Sequence, residues 1–243
     1  MAFLLLALGS SKPTPEELKR RAEETKAMRA QYDDWVSKAG VVYRKIAATD
    51  KAALTDKACD GPAMLAAAKE TVYLSLPTVY GPFMARFASP NKSDWRDENG
   101  PWAFLTESTF RGHFEKHAAD RDASSVDGTG RMIANDWLKN RFLIVFWPND
   151  EKANRLPLVR GHRAFDSGIF DGWLFIVDPV ASTITCQKKL AIRSSEKVSS
   201  TESFTKNPQS AVQKDFEDRF EAAVKAALPD KVKSSNNMGS LLK

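Results

Sequence analysis

Three histidines offer the most direct route to chemistry. His113 and His117 lie four apart in Gly112-His113-Phe114-Glu115-Lys116-His117. On a helix both imidazoles share one face, as a two-histidine metal clamp requires. Asp120 follows three residues on, and His162 supplies the remaining nitrogen ligand. A zinc protease would place glutamate at position 114, where this chain has Phe114, so the general base is missing. Lys116 and the arginines nearby also repel a dication. A metal-dependent enzyme around the three histidines therefore ranks last of three functional readings.

Other chemistry-bearing patterns break at defined residues. Asp120-Arg121-Asp122-Ala123-Ser124 fits the first ligand positions of a calcium loop, but Ser125 stands at the glycine and Arg131 at the terminal glutamate. Asp166, Asp171 and Asp178 read as turn carboxylates. Ser194-Ser195-Glu196-Lys197 fits S-x-x-K, a short pattern without its companion motifs in this chain. No G-x-S-x-G elbow and no phosphate-binding glycine loop is present, and Gly128-Thr129-Gly130 lacks a third glycine. The sequence thus points to no cofactor and leans away from an enzyme.

Surface chemistry is the stronger signal. The chain carries 36 Lys/Arg against 31 Asp/Glu, a net charge of +5. Most of it is balanced locally: residues 12–38 hold seven bases and six acids. Two stretches lean basic. Residues 152–163 hold Lys152, Arg155, Arg160 and Arg163 and no acid, and residues 186–206 hold five bases against Glu196 and Glu202. Such stretches attract anionic partners when they cluster in space. Trp95 and Trp102 flank a polar, glycine- and proline-containing stretch, where exposed tryptophans form a recognition patch or pin a loop to the body. Lys152, Arg155, Arg160, Arg163, Trp95 and Trp102 are the candidate binding patch.

The elements that must carry these residues are set by composition and periodicity. At 243 residues, 42% apolar and 28% charged, the chain is an ordinary globular composition with core enough to fold. Its longest apolar runs, 2–8 and 142–147, fall far short of the roughly 20 residues that span a bilayer. The first of them ends in Ala7-Leu8-Gly9, a small-x-small site, but lacks a basic flank. Residues 1–11 are accordingly read as an apolar leader, a truncated signal or anchor. The two cysteines, Cys59 and Cys186, have no metal or redox spacing. In an exported chain they close one disulfide worth ~4–5 kcal/mol by loop entropy. In a cytosolic chain they are small buried apolar residues.

Thr14-Pro15-Glu16-Glu17 is a capping box with proline at the first helical position. The stripe Leu18, Ala22, Thr25, Met28, Tyr32, Trp35, Ala39, Val42, Ile46 steps by three or four, predicting a helix of about 35 residues, ~50 Å long. Packing of this seam on the chain's own sheet is favoured over coiled-coil association. Asp60-Gly61-Pro62 opens a short helix. Strands are predicted near 71–76, 141–147, 173–177 and 183–192, the last with Ile184, Cys186, Leu190 and Ile192 on one face and Lys188 interrupting it. Asn207-Pro208 caps a final helix ended by Pro229, and residues 230–243 read as a disordered polar tail. Helices flanking a strand-rich middle give an α+β fold with an antiparallel sheet packed against a long N-terminal helix and a C-terminal helix. Residues 12–229 form the single domain, with an N-terminal helical stalk.

Three functions follow in order. The first is a non-enzymatic binding or structural domain associated with a cell envelope or exported, extracytoplasmic or membrane-anchored, with a membrane surface or another envelope protein as partner. The second is a cytoplasmic polyanion or nucleic-acid binder, with nucleic acid the weaker case. The third is the histidine enzyme.

Overall fold

The computed structural model describes residues 14–68, 74–76, 78–80, 141–150, 152–160, 164–196, 207–230 and 232–234. Helix α1 spans Pro15–Ala48 and begins as the sequence dictates. The Thr14 side chain accepts the Glu17 N–H at 3.2 Å, and Glu17 Oε2 accepts the Thr14 N–H at 2.9 Å. Its C-terminus is closed by Lys51, whose ammonium bonds the Ile46 and Ala47 carbonyls and lies 4.7 Å from the Trp147 ring centre. Cations are favoured at this end of a helix dipole. Helix α2, Gly61–Ala68, is capped by Asp60, which accepts the Ala63 N–H at 2.9 Å.

The central sheet has the order β2-β3-β6-β7. Its strands are β2 (Thr78–Tyr80), β3 (Leu143–Pro148), β6 (Ile169–Asp178) and β7 (Thr183–Arg193). β3, β6 and β7 run antiparallel, with Val145 opposite Phe175 and Ile176 opposite Cys186, and β2 joins β3 in parallel. β3 and β6 are apolar on both sides because helices cover both faces. On one face, Ile144 and Phe146 of β3 and Leu174 and Ile176 of β6 pack against α3 (Pro208–Ala227) through Phe216, Phe220 and Val224, with Met64 of α2 beside them. The Phe220 ring centre lies 4.9 Å from Phe146 and 5.3 Å from Phe170. On the other face, Leu143, Val145, Trp173, Phe175 and Val177 meet Trp35, Ala39, Val42 and Ile46 of α1.

Among the described side chains of α1, those that dock on the sheet lie in its C-terminal half. Leu18 is 47% exposed, and every residue between 14 and 34 whose side chain is described is exposed. At 1.5 Å per residue, about 30 Å of helix precedes Trp35. Among the described residues no helix is long and apolar enough to cross a membrane.

The structure corrects three expectations. The strand near 71–76 is described only at β1 (Leu74–Leu76), which leaves the central sheet and pairs in parallel with β8 (Val232–Ser234). The strand beside β3 is instead β2, which lies just past the predicted strand. Residues 232–234, expected in a disordered tail, form β8 because Val232 is buried in the α3-side core. Ile184 does not share a face with Cys186, Leu190 and Ile192. A register shift between Ile176 and Val177 turns it to the α1 side. Lys188 sits on the α3 face of β7 and reaches outward to Asp56.

Candidate functional site

The candidate patch maps to a small hairpin, β4 (Leu158–Val159) paired antiparallel with β5 (Phe165–Asp166). Arg160 N–H bonds the Ala164 carbonyl at 2.8 Å and closes the turn. Gln209, near the start of α3, clamps the hairpin: its Oε1 accepts the Val159 N–H at 2.9 Å and its Nε2 donates to the Pro157 carbonyl at 3.0 Å. The loop leading in is held by Asn154, only 3% exposed. Its amide donates to the Asp150 and Asp171 carbonyls, and its Oδ1 accepts the Asp171 N–H at 2.5 Å. A buried polar side chain is tolerable when its donors and acceptor are matched in this way.

The bases themselves are partly engaged. Arg155 pairs its backbone with Ile169 in both directions and donates from Nε to the Ser167 carbonyl at 3.0 Å. Arg160 Nε bonds Asp166 Oδ2 at 2.7 Å while its side chain remains 62% exposed. Lys152 is exposed beside Asp150, which accepts the Lys152 N–H. Exposed Leu158 lies between these bases. Arg163, Trp95 and Trp102 lie outside the described residues, as do His113, His117, His162 and Asp120. The three described bases thus share their surface with two acids, a net charge of +1, weaker than the run 152–163 suggested. Strand alternation splits the described bases of the second stretch, with Arg193 on the side of Lys189, while Lys197 and Lys206 lie outside the described residues. Lys188 lies on the α3 face of β7, paired with Asp56, and Lys189 on the opposite face.

The nucleophile pattern becomes a structural lock. Ser194 is buried, its Oγ accepting the Gly168 N–H at 2.9 Å and its N–H donating to the Gly168 carbonyl at 3.0 Å. Ser195 Oγ–H donates to Asp215 Oδ1 at 2.7 Å and accepts from Arg219 Nη2 at 2.7 Å. Burial pushes the Asp215 carboxyl up. The Ser195 N–H, the Ser195 hydroxyl and Arg219 outweigh it and hold the group below its usual range. The trio ties the chain just past β7 to α3. Lys197 lies outside the described residues. Among the described residues no three His, Cys, Asp or Glu side chains are placed to share a metal ion.

The aspartates expected in turns have separate roles. Asp178 Oδ2 takes the Arg141 Nε at 2.8 Å, and Asp178 Oδ1 caps the β6–β7 turn by accepting the Ala181 N–H at 3.0 Å. Asp171, within β6, accepts from Asn149 Nδ2 at 3.2 Å. Asp166 belongs to β5. The Arg141–Asp178 pair was not read from the sequence. Pairing strand 141–147 antiparallel with 173–177 would have brought the two ends together.

Cys59 and Cys186 form a disulfide, with Cα atoms 4.9 Å apart and a sequence separation of 127. It joins the segment after α1 to β7. No protein-family model matches the chain, and neither a curated protein nor a solved structure matches it.

Proposed function

We propose that this chain is an exported, envelope-associated binding or structural domain that works without chemistry of its own. The observation that carries the reading is the Cys59–Cys186 disulfide. Structural disulfides persist in oxidising compartments and are rare where thiol reductants hold cysteines reduced. A periplasmic or extracellular setting accommodates this bridge.

The shape of α1 supports the same reading. Its C-terminal half is built into the core, and the described side chains of its N-terminal half are exposed. Exposed i,i+4 pairs such as Arg20–Glu24 at 3.9 Å and Lys38–Asp34 at 2.6 Å suit a solvated helix. A helix of this kind holds the sheet domain about 30 Å from whatever lies at its start. In the sequence that is the apolar run 2–8. The β4–β5 hairpin, with Arg155, Arg160 and exposed Leu158, is the surface offered to an envelope partner, and its near-neutral balance favours a protein over a polyanion.

Fractionation of the native host tests this directly, with an antibody to the folded domain. The chain is expected with the envelope or in the extracytoplasmic fraction. A wholly cytosolic pool contradicts the proposal.

A further inference from the structure

Residues 55–58 cross the outer edge of β7 through weak contacts, between half-buried Leu54, which packs on the α1-side core, and the covalent pin at Cys59. Lys57 N–H donates to the Gln187 carbonyl at 2.9 Å, and Gln187 N–H donates to the Lys57 carbonyl at 3.1 Å. Gln187 Nε2 reaches the Thr55 carbonyl at 2.8 Å. Asp56 accepts the Lys189 N–H at 2.9 Å and pairs with the Lys188 ammonium. Thr55, Asp56, Lys57 and Ala58 are all exposed, so these bonds compete with water. An exposed ion pair contributes roughly 0–1 kcal/mol. Two residues beyond the Lys57–Gln187 bridge, Cys59 is bonded to Cys186.

The neighbouring sheet is held far more firmly. β6 is paired with β7 along its length and with β3 from Gly172 to Val177, and Phe175 and Ile176 are fully buried. Segments with few buried apolar contacts and exposed backbone bonds open at lower free energy than core strands.

We propose that residues 55–59, beyond the core-packed Leu54, are a strap over the β7 edge that thiol–disulfide exchange releases while the sheet stays folded. The two sulfurs are not equivalent. Cys186 is buried and Cys59 is half-buried, so an external dithiol attacks Cys59 Sγ. The Sγ–Sγ bond breaks, and its electron pair leaves on Cys186 Sγ, which takes a proton. The dithiol's second thiolate resolves the mixed disulfide. Cys59 is left as a thiol and the reductant as its own disulfide, with two electrons transferred to the protein. Burial of the departing Cys186 sulfur slows this step and leaves its products unchanged. The released edge loses the partners of Lys57 and Gln187 and becomes an open strand edge.

Residue-resolved amide exchange of the full chain, oxidised and dithiothreitol-reduced, tests the strap. In the reduced protein the Lys57, Gln187 and Lys189 amides are expected to exchange about tenfold or more faster than in the oxidised protein, at rates independent of low urea. The β6 amides should keep the steep urea dependence of global unfolding. Strap amides that share the β6 urea dependence, or that do not respond to reduction, overturn the proposal. Should the reduced chain unfold, the kinetics of reduction decide. Release from the folded state gives a rate proportional to dithiothreitol and insensitive to low urea. A rate that saturates at the global unfolding rate overturns the strap.

Discussion

Leu18 and Ile46 lie on one stripe of α1, four heptads apart, and the structure assigns them opposite consequences. Ile46 is fully buried against the α1 face of the sheet, and Leu18 is 47% exposed. Ile46→Ala removes three carbon groups at roughly 0.8 kcal/mol each, about 2.4 kcal/mol. An unrelaxed cavity of some 60 Å³ adds about 1.5 kcal/mol at ~24 cal/mol per Å³. The better helix propensity of alanine returns about 0.4 kcal/mol. The net loss is about 3–4 kcal/mol. Leu18→Ala takes little from a packed surface and changes propensity little, so its effect stays within about 0.5 kcal/mol. Urea unfolding of the oxidised variants, followed by far-ultraviolet circular dichroism, measures both at unchanged slope. Equal losses, or a Leu18→Ala cost near 2 kcal/mol, would refute the exposed setting of Leu18 on α1.

Three further outcomes follow from the packing. A side chain at Gly172 would meet the Trp147 carbonyl and Pro148 across the β3–β6 pair. Gly172→Ala is therefore expected to cost about 1–3 kcal/mol, read as a lowered thermal midpoint. An unchanged midpoint contradicts that close approach. Asp178→Asn removes the charge facing Arg141 while keeping the shape, and should cost about 1.5–3 kcal/mol in urea unfolding, since the carboxylate is buried and its hydrogen bond is charge-assisted. A cost below about 0.5 kcal/mol would show the pair to be idle. The Asp215 carboxyl is held below its usual range in the fold, so its contribution is present above the unfolded value near 3.9 and is lost as pH falls through the folded value. Asp215→Asn should therefore destabilise at pH 7 and narrow its gap to the parent chain at pH 3. A gap that does not change with pH contradicts the assignment.

The elements with local signals were legible, and those that depend on partners were not. Thr14 and Glu17, and Asn207 before Pro208, announce their helix starts because capping is settled within four residues. The run before Pro148 reads as a central strand because both its faces are apolar, and β7 shows its half-wet edge position through alternation. β1, β2 and β8 are three residues each and exist only by pairing with distant chain. The bulge that turns Ile184 to the α1 side leaves no mark in composition. The basic run 152–163 looked like a patch because Asp150 and Asp166 lie just outside it in sequence. In space Arg160 bonds Asp166, and Lys152 sits beside Asp150. The S-x-x-K match gave no warning that Ser194 would be spent on Gly168. The cysteines left two readings open, and only the fold brought Cys59 to Cys186.

Trapping thiols in intact cells of the native host reaches the exported state most directly. Cells are quenched with acid, alkylated under denaturing conditions, and the full chain is weighed by mass spectrometry. The account predicts that neither Cys59 nor Cys186 takes up alkylating agent until a reductant is added. A chain that carries two alkyl groups straight from unperturbed cells would contradict it.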